Sequence, residues 1–190
     1  MSNLEAFGKS IIENDSDAKR LIEAVVERTA TYLSDEVFIN VLEVKYNLNN
    51  EKQFDLRNLT SIITVEDHLK ITLAFSYDKS LIEKIFEGYS QGIEVAADEV
   101  QSYIEESAGD MINIVLGNVL SQFQQSGKAF GISTPVIING AKSIGKYKNT
   151  QFFTAELKSD FGIISICCIT PGEQFRKQLK PERSDFIEKS

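Results

Sequence analysis

Val100-Gln-Ser-Tyr-Ile-Glu-Glu-Ser-Ala-Gly-Asp110-Met-Ile-Asn-Ile-Val-Leu-Gly-Asn-Val-Leu120 is the stretch on which the reading of this chain turns. At about 100° per residue, Val100, Ile104, Ala108, Met111, Val115 and Val119 fall on one apolar stripe of a helix. Glu106, Asp110, Asn113 and Gly117 lie on the opposite side, within roughly 60° of one another on the same projection. An apolar stripe must face a core, so these four residues face outward together. Asp110 and Asn113 are three apart and therefore surface neighbours, and Glu106 sits one turn before Asp110. Gly117 stands in a helix interior, where glycine costs about 0.5–1 kcal/mol relative to alanine. The plain explanation is that acidic and amide side chains cover the solvent face of any amphipathic helix. A neighbouring loop packed on Gly117 would account for the glycine.

Working outward, the helical pattern spans about residues 93–125 and stops at Ser126-Gly127. Before it, Leu81, Ile82, Ile85, Phe86 and Tyr89 recur at helical spacing after Asp78. Leu69, Ile71, Leu73, Phe75 and Tyr77 alternate with Lys70, Thr72 and Ser76, as a half-buried antiparallel strand does. Leu59 to Val65 reads as its hairpin partner across a turn at Glu66-Asp67-His68. Val37 to Tyr46 reads as a strand from its β-branched and aromatic content, and Asn47 to Asn58 as a loop. Leu21, Ile22, Val25, Val26, Thr29, Tyr32 and Leu33 mark an opening helix with Asp17 as its cap. Downstream, Pro135 to Ile144, Gln151 to Lys158 and Gly162 to Thr170 are β again, the last two joined by a hairpin at Ser159-Asp160-Phe161-Gly162. The expected fold is α+β, a largely antiparallel sheet packed with helices around one long central helix. Residues 1–172 form a single domain with 1–16 frayed, and 173–190 a charged, mobile tail.

Composition excludes much of the usual chemistry. A chain of 190 residues with 42% hydrophobic and 25% charged residues is an ordinary globular domain. Its net charge of −8 disfavours nucleic acid and anionic membranes as partners. One histidine and two cysteines are too few for a structural zinc site, and His68, the only imidazole, falls in a turn beside Asp67. Cys167 and Cys168 are adjacent, so on a strand they point to opposite faces and form neither a mutual disulfide nor a shared metal site. They read as core residues in a reducing compartment. No run approaches the roughly 20 apolar residues of a membrane span, and the first residues lack a signal-peptide pattern. A cytoplasmic location is expected.

The run Glu106-Ser-Ala-Gly-Asp110-Met-Ile-Asn113-Ile-Val-Leu-Gly117-Asn118 resembles the signature helix of the CheC/CheX chemotaxis phosphatases. That signature is an Asp or Ser, three residues, a Glu, two residues, an Asn, and commonly a Gly-Asn pair soon afterwards. Ile132-Ser-Thr-Pro135-Val-Ile-Ile-Asn-Gly140 resembles the Ser-x-Pro strand segment that follows the helix in CheX. One such helical motif is present, as in CheX, whereas CheC has two. At the family's Glu position this chain carries Asp110, shorter by one methylene, about 1.5 Å. Glu106 stands where the family has Asp or Ser, so the acidic pair has its lengths exchanged.

The resemblance implies a phosphatase acting on the phospho-aspartate of a CheY-type receiver domain. Asn113 would orient the attacking water, and Asp110 would meet the receiver's active-site lysine. Glu106 would reinforce that contact, and Gly117 would permit close approach. The family needs no cofactor of its own, since Mg²⁺ resides in the receiver, and it forms homodimers through sheet edges. The alternative is a non-catalytic receiver-binding or dimeric signalling module of the same fold, raised by Asp110 in place of Glu.

Overall fold

The computed structural model describes residues 15–48, 51–66, 71–92, 94–123 and 131–171. Among the described residues three helices, α1 (Asp15–Asp35), α2 (Lys79–Tyr89) and α3 (Val100–Phe123), are combined with nine strands. These are β1 (Val41–Asn47), β2 (Gln53–Asp55), β3 (Leu59–Glu66), β4 (Ile71–Tyr77), β5 (Gly131–Ile132), β6 (Val136–Asn139), β7 (Ser143–Gly145), β8 (Thr150–Ser159) and β9 (Gly162–Pro171). The main sheet runs β1-β8-β9-β4-β3-β5, with β6 also on β3, and every pairing is antiparallel. The fold is therefore α+β, as the sequence pattern implies.

Strand alternation sorts the core into two layers. Leu73, Phe75, Tyr77, Phe153, Ala155, Leu157, Ile164, Ile166 and Cys168 turn to one face and pack with α1, α2 and α3. Ala74, Phe152 and Cys167 turn to the other, beneath Phe54 of β2. The expectation of a half-buried β4 is corrected here, because Ala74 and Ser76 on its second face are also buried. The reason lies in residues 47–58, read as loop. They contain β2, which pairs with β7 into a two-stranded sheet lying across the small side chains of β4 and β9. The two cysteines are free and buried on opposite faces. Burial raises both thiols, Cys168 to about 12, so neither is a nucleophile.

Other boundaries move for identifiable reasons. Phe38, exposed and at φ 56°, breaks the extended run, so β1 begins at Val41. A bulky residue in that region costs about 1–2 kcal/mol. Gly140, at φ 70°, divides the segment read as one strand into β6 and β7. Asp17, expected at the cap position, lies inside α1. The long helix starts at Val100, not near 93. Glu99 N–H closes a turn on the Ala96 carbonyl (2.9 Å), and the Glu99 carbonyl takes the first helical bond from Tyr103 N–H (3.1 Å). The turn around His68, the first fourteen residues and the 173–190 tail lie outside the described residues.

One polar clasp fixes the start of α2. Arg57 donates to Ser165 Oγ (2.7 Å), Asp78 Oδ1 (2.9 Å) and Glu156 Oε1 (2.8 Å). Asp78 Oδ2 accepts from Ile163 N–H (2.8 Å). Gly162, at φ 128°, is required there, since a Cβ would lie 2.8 Å from that of Asp78.

Candidate functional site

α3 is packed along one side and leaves the other exposed. Ala108, Met111, Ile112, Val115, Leu116 and Val119 are fully buried, each contributing about 1.5–3 kcal/mol through the apolar area removed from water. Glu106, Asp110 and Asn113 are exposed, on the side the periodicity assigns to them. Helical rise places Asn113 about 4.5 Å along the axis from Asp110, and Glu106 about 6 Å the other way. None of the three side chains has a hydrogen-bond or ion-pair partner among the described residues. Gly117 continues the stripe. A Cβ built on it meets nothing within 4 Å among the described residues, so no described loop explains the glycine.

The flank of the stripe beside β6 gives the Ser-x-Pro segment a physical meaning. β3 pairs with β5 at Val65 and Glu66, and with β6 from Leu59 to Ile62, leaving a gap opposite Thr64. Ser133 fills it: its N–H donates to the Thr64 carbonyl (2.9 Å) and its Oγ accepts from Thr64 N–H (3.0 Å). Two residues on, Pro135 carbons lie 3.7 and 3.8 Å from where a Cβ on Gly109 would stand. Pro135 thus packs on α3 immediately before Asp110. Farther along β6, Asn139 Nδ2 donates to Glu105 Oε1 (2.8 Å), which also accepts from Gln101 Nε2 (2.9 Å). Gly109, Ser133 and Pro135 therefore set where the stripe stands, and only the last two were visible in the sequence as a motif.

Tyr89, at the end of α2, is the neighbour that sequence reasoning missed. Its ring packs against the main core and lies 6.2 Å from that of Tyr32. Burial, and then the charge of Asp110, push its hydroxyl up to about 12. Helical periodicity marks Tyr89 only as an apolar-face residue, and no local signal ties it to a carboxylate twenty-one positions later. The arrangement as a whole presents a carboxylate pair, a carboxamide and bare backbone on one rigid helix. Such a surface can receive a cation and orient a water, and it holds no nucleophile. Among the described residues no group of His, Cys, Asp and Glu could hold a metal ion.

The sequence profile of the family described as chemotaxis phosphatase CheX matches residues 59–158. The chain belongs to the CheX family. No curated protein sequence matches it. CheX from Desulfovibrio desulfuricans superposes with a TM-score of 0.64 at 13% identity, over 80% of this chain and 99% of that one. CheX from Vibrio vulnificus gives 0.62 at 15% identity, over 80% and 99%. CheX from Borrelia burgdorferi, solved with CheY, beryllium trifluoride and Mg²⁺, gives 0.62 at 17% identity, over 80% and 98%. These CheX structures share the α+β fold of this chain. Among the described residues no helix is long and apolar enough to cross a membrane.

Proposed function

We propose that this CheX-family protein hydrolyses the phospho-aspartate of a CheY-type receiver domain in the cytoplasm. The carrying observation is the stripe of exposed Glu106, Asp110 and Asn113, whose side chains bond to no described residue, with half-buried Gly117. An acyl phosphate is intrinsically labile, and its own domain supplies Mg²⁺ and a lysine. The partner then needs only to hold a water in line with phosphorus. The Asn113 carboxamide oxygen accepts a hydrogen bond from that water, whose oxygen bonds to phosphorus as the bond to the aspartyl oxygen breaks, its protons passing to the phosphate and to solvent. Carboxylate and inorganic phosphate are the products. Asp110 pairs with the receiver's lysine and sets the register of docking, with Glu106 one turn away adding negative charge. The open space above Gly117 supports close approach of the receiver backbone, which compensates for the shorter acid. No cofactor of the protein's own enters this scheme.

A second reading, receiver binding without hydrolysis, is favoured by one feature, Asp110 in place of the family's Glu. Following the decay of a phosphorylated receiver from the same organism separates the two. Acceleration by the wild-type protein supports hydrolysis. Tight binding of the phosphorylated form with an unchanged lifetime supports the binding module, and neither result would refute both.

We also propose a homodimer. β1 is an edge strand, and its exposed Leu42, Val44 and Tyr46 give that edge an apolar surface. Light scattering on the wild type and on Val44→Lys tests it, with the dimer expected only in the first.

A further inference from the structure

The row on α3 starts one turn before Glu106. On the projection of 100° per residue, Tyr103, Glu106, Asp110, Asn113 and Gly117 all fall within about 80°. Tyr103 is 40% exposed, and among the described residues it is the only exposed large hydrophobic side chain of α3. Its hydroxyl has no hydrogen-bond partner among the described residues. Its backbone is fixed: the N–H donates to the Glu99 carbonyl (3.1 Å), and the carbonyl accepts from Ser107 Oγ (2.8 Å). Helical rise places it about 10.5 Å along the axis from Asp110 and about 15 Å from Asn113. A single exposed tyrosine is ordinary on a protein surface. The place of this one is not, because the rest of its row holds only acids, an amide and a glycine.

Acids and an amide set register and chemistry, but they remove little apolar area from water. Association must offset the lost translational and rotational freedom of two proteins. At interfaces a buried aromatic side chain is the usual source of that free energy. We infer that Tyr103 is the apolar anchor of docking: its ring packs on an aliphatic patch at the rim of the receiver's phosphorylation site, while Asp110 and Asn113 enter that site. The inference rests on the receiver-phosphatase reading. An interface of standard size covers about 800 Å² per partner, a disc of roughly 16 Å radius. Centred on Asp110 and Asn113, such a disc includes Tyr103. A tyrosine has two side-chain torsions before its ring is placed, so ordering it on a partner costs little. The same contact selects among receivers, favouring those that carry an apolar surface residue at this distance from the phosphorylated aspartate.

Titration of a beryllofluoride-loaded receiver against the full chain tests the anchor. Tyr103→Ala is expected to weaken binding about tenfold or more, and Tyr103→Gln, which keeps a long side chain on a good helix former, by a similar factor. Tyr103→Phe retains the ring and should stay within about threefold of the wild type. An equal loss in the Phe and Ala variants would overturn the apolar assignment, as would unchanged affinity in the Ala and Gln variants. Turnover separates docking from chemistry. With the phosphorylated receiver, Tyr103→Ala should raise KM by the same factor and leave kcat within about twofold. A fall in kcat at unchanged KM would overturn the docking role. A wild type that binds the receiver without shortening its lifetime, with Tyr103→Ala still weakened, would refute the hydrolytic reading and uphold the anchor. A wild type that does not bind would refute the receiver reading and the anchor together.

Discussion

On its inner side α3 carries Met111, Ile112, Val115, Leu116 and Val119, fully buried against the sheet and the other helices. On its outer side Glu106, Asp110 and Asn113 bond to no described residue, and no described residue stands over Gly117. Packing explains the first side completely. The second satisfies no requirement of this fold, and its glycine works against helix stability. Side chains that bond to no described residue yet form one aligned row fit the docking role proposed for them. The two sides should therefore respond to substitution in opposite ways, the inner through stability and the outer through activity.

The largest effect is expected inside. Leu116→Ala opens a cavity beneath the stripe and should lower unfolding free energy by about 2–5 kcal/mol, measured by denaturant titration. Receiver hydrolysis at a temperature where the variant stays folded should change far less. A proportionate loss of both would erase the contrast between the sides.

Next comes Asp110→Glu. If the receiver sits close enough for the shorter acid, an added methylene pushes it outward by about 1.5 Å. The hydrolysis rate should then fall about tenfold or more, with the melting temperature unchanged. A rise in rate would mean that Asp110 is a defect and that the wild type is better described as a binding module.

The smallest effect sharpens the comparison most. Gly117→Ala should stabilise the protein by about 0.5–1 kcal/mol, since helix propensity improves and the new methyl meets nothing. It should nevertheless weaken docking of a beryllofluoride-loaded receiver by several-fold, measured by titration. Unchanged affinity would remove the close-approach role of Gly117.

Periodicity made both sides of α3 legible before any coordinates, because a buried stripe at period 3.6 leaves its complement outside. Of the antiparallel strands, β4 showed alternation at period 2, while β3, β8 and β9 were marked out by the turns that bound them. What stayed hidden was non-local. Phe54 looks like a loop residue until its packing over Ala74, Phe152 and Cys167 is seen. Phe38 delays the start of β1 and Gly140 ends β6 through a backbone sign that composition does not encode. In the site, the alignment of Glu106, Asp110, Asn113 and Gly117 followed from spacing alone, whereas Tyr89 and the Gly109–Pro135 contact come from elements brought together only by folding. The exchange of acid lengths at positions 106 and 110 was plain in the sequence; its consequence depends on how near the partner comes.

The most direct test is Asn113→Ala, examined for receiver dephosphorylation and thermal stability side by side. The side chain is exposed and bonds to no described residue, so the melting temperature should not move. The phosphorylated receiver should then decay at its own unaided rate, a loss of about 100-fold from wild-type acceleration. Acceleration equal to that of the wild type would contradict the assignment of Asn113 as the group that positions water.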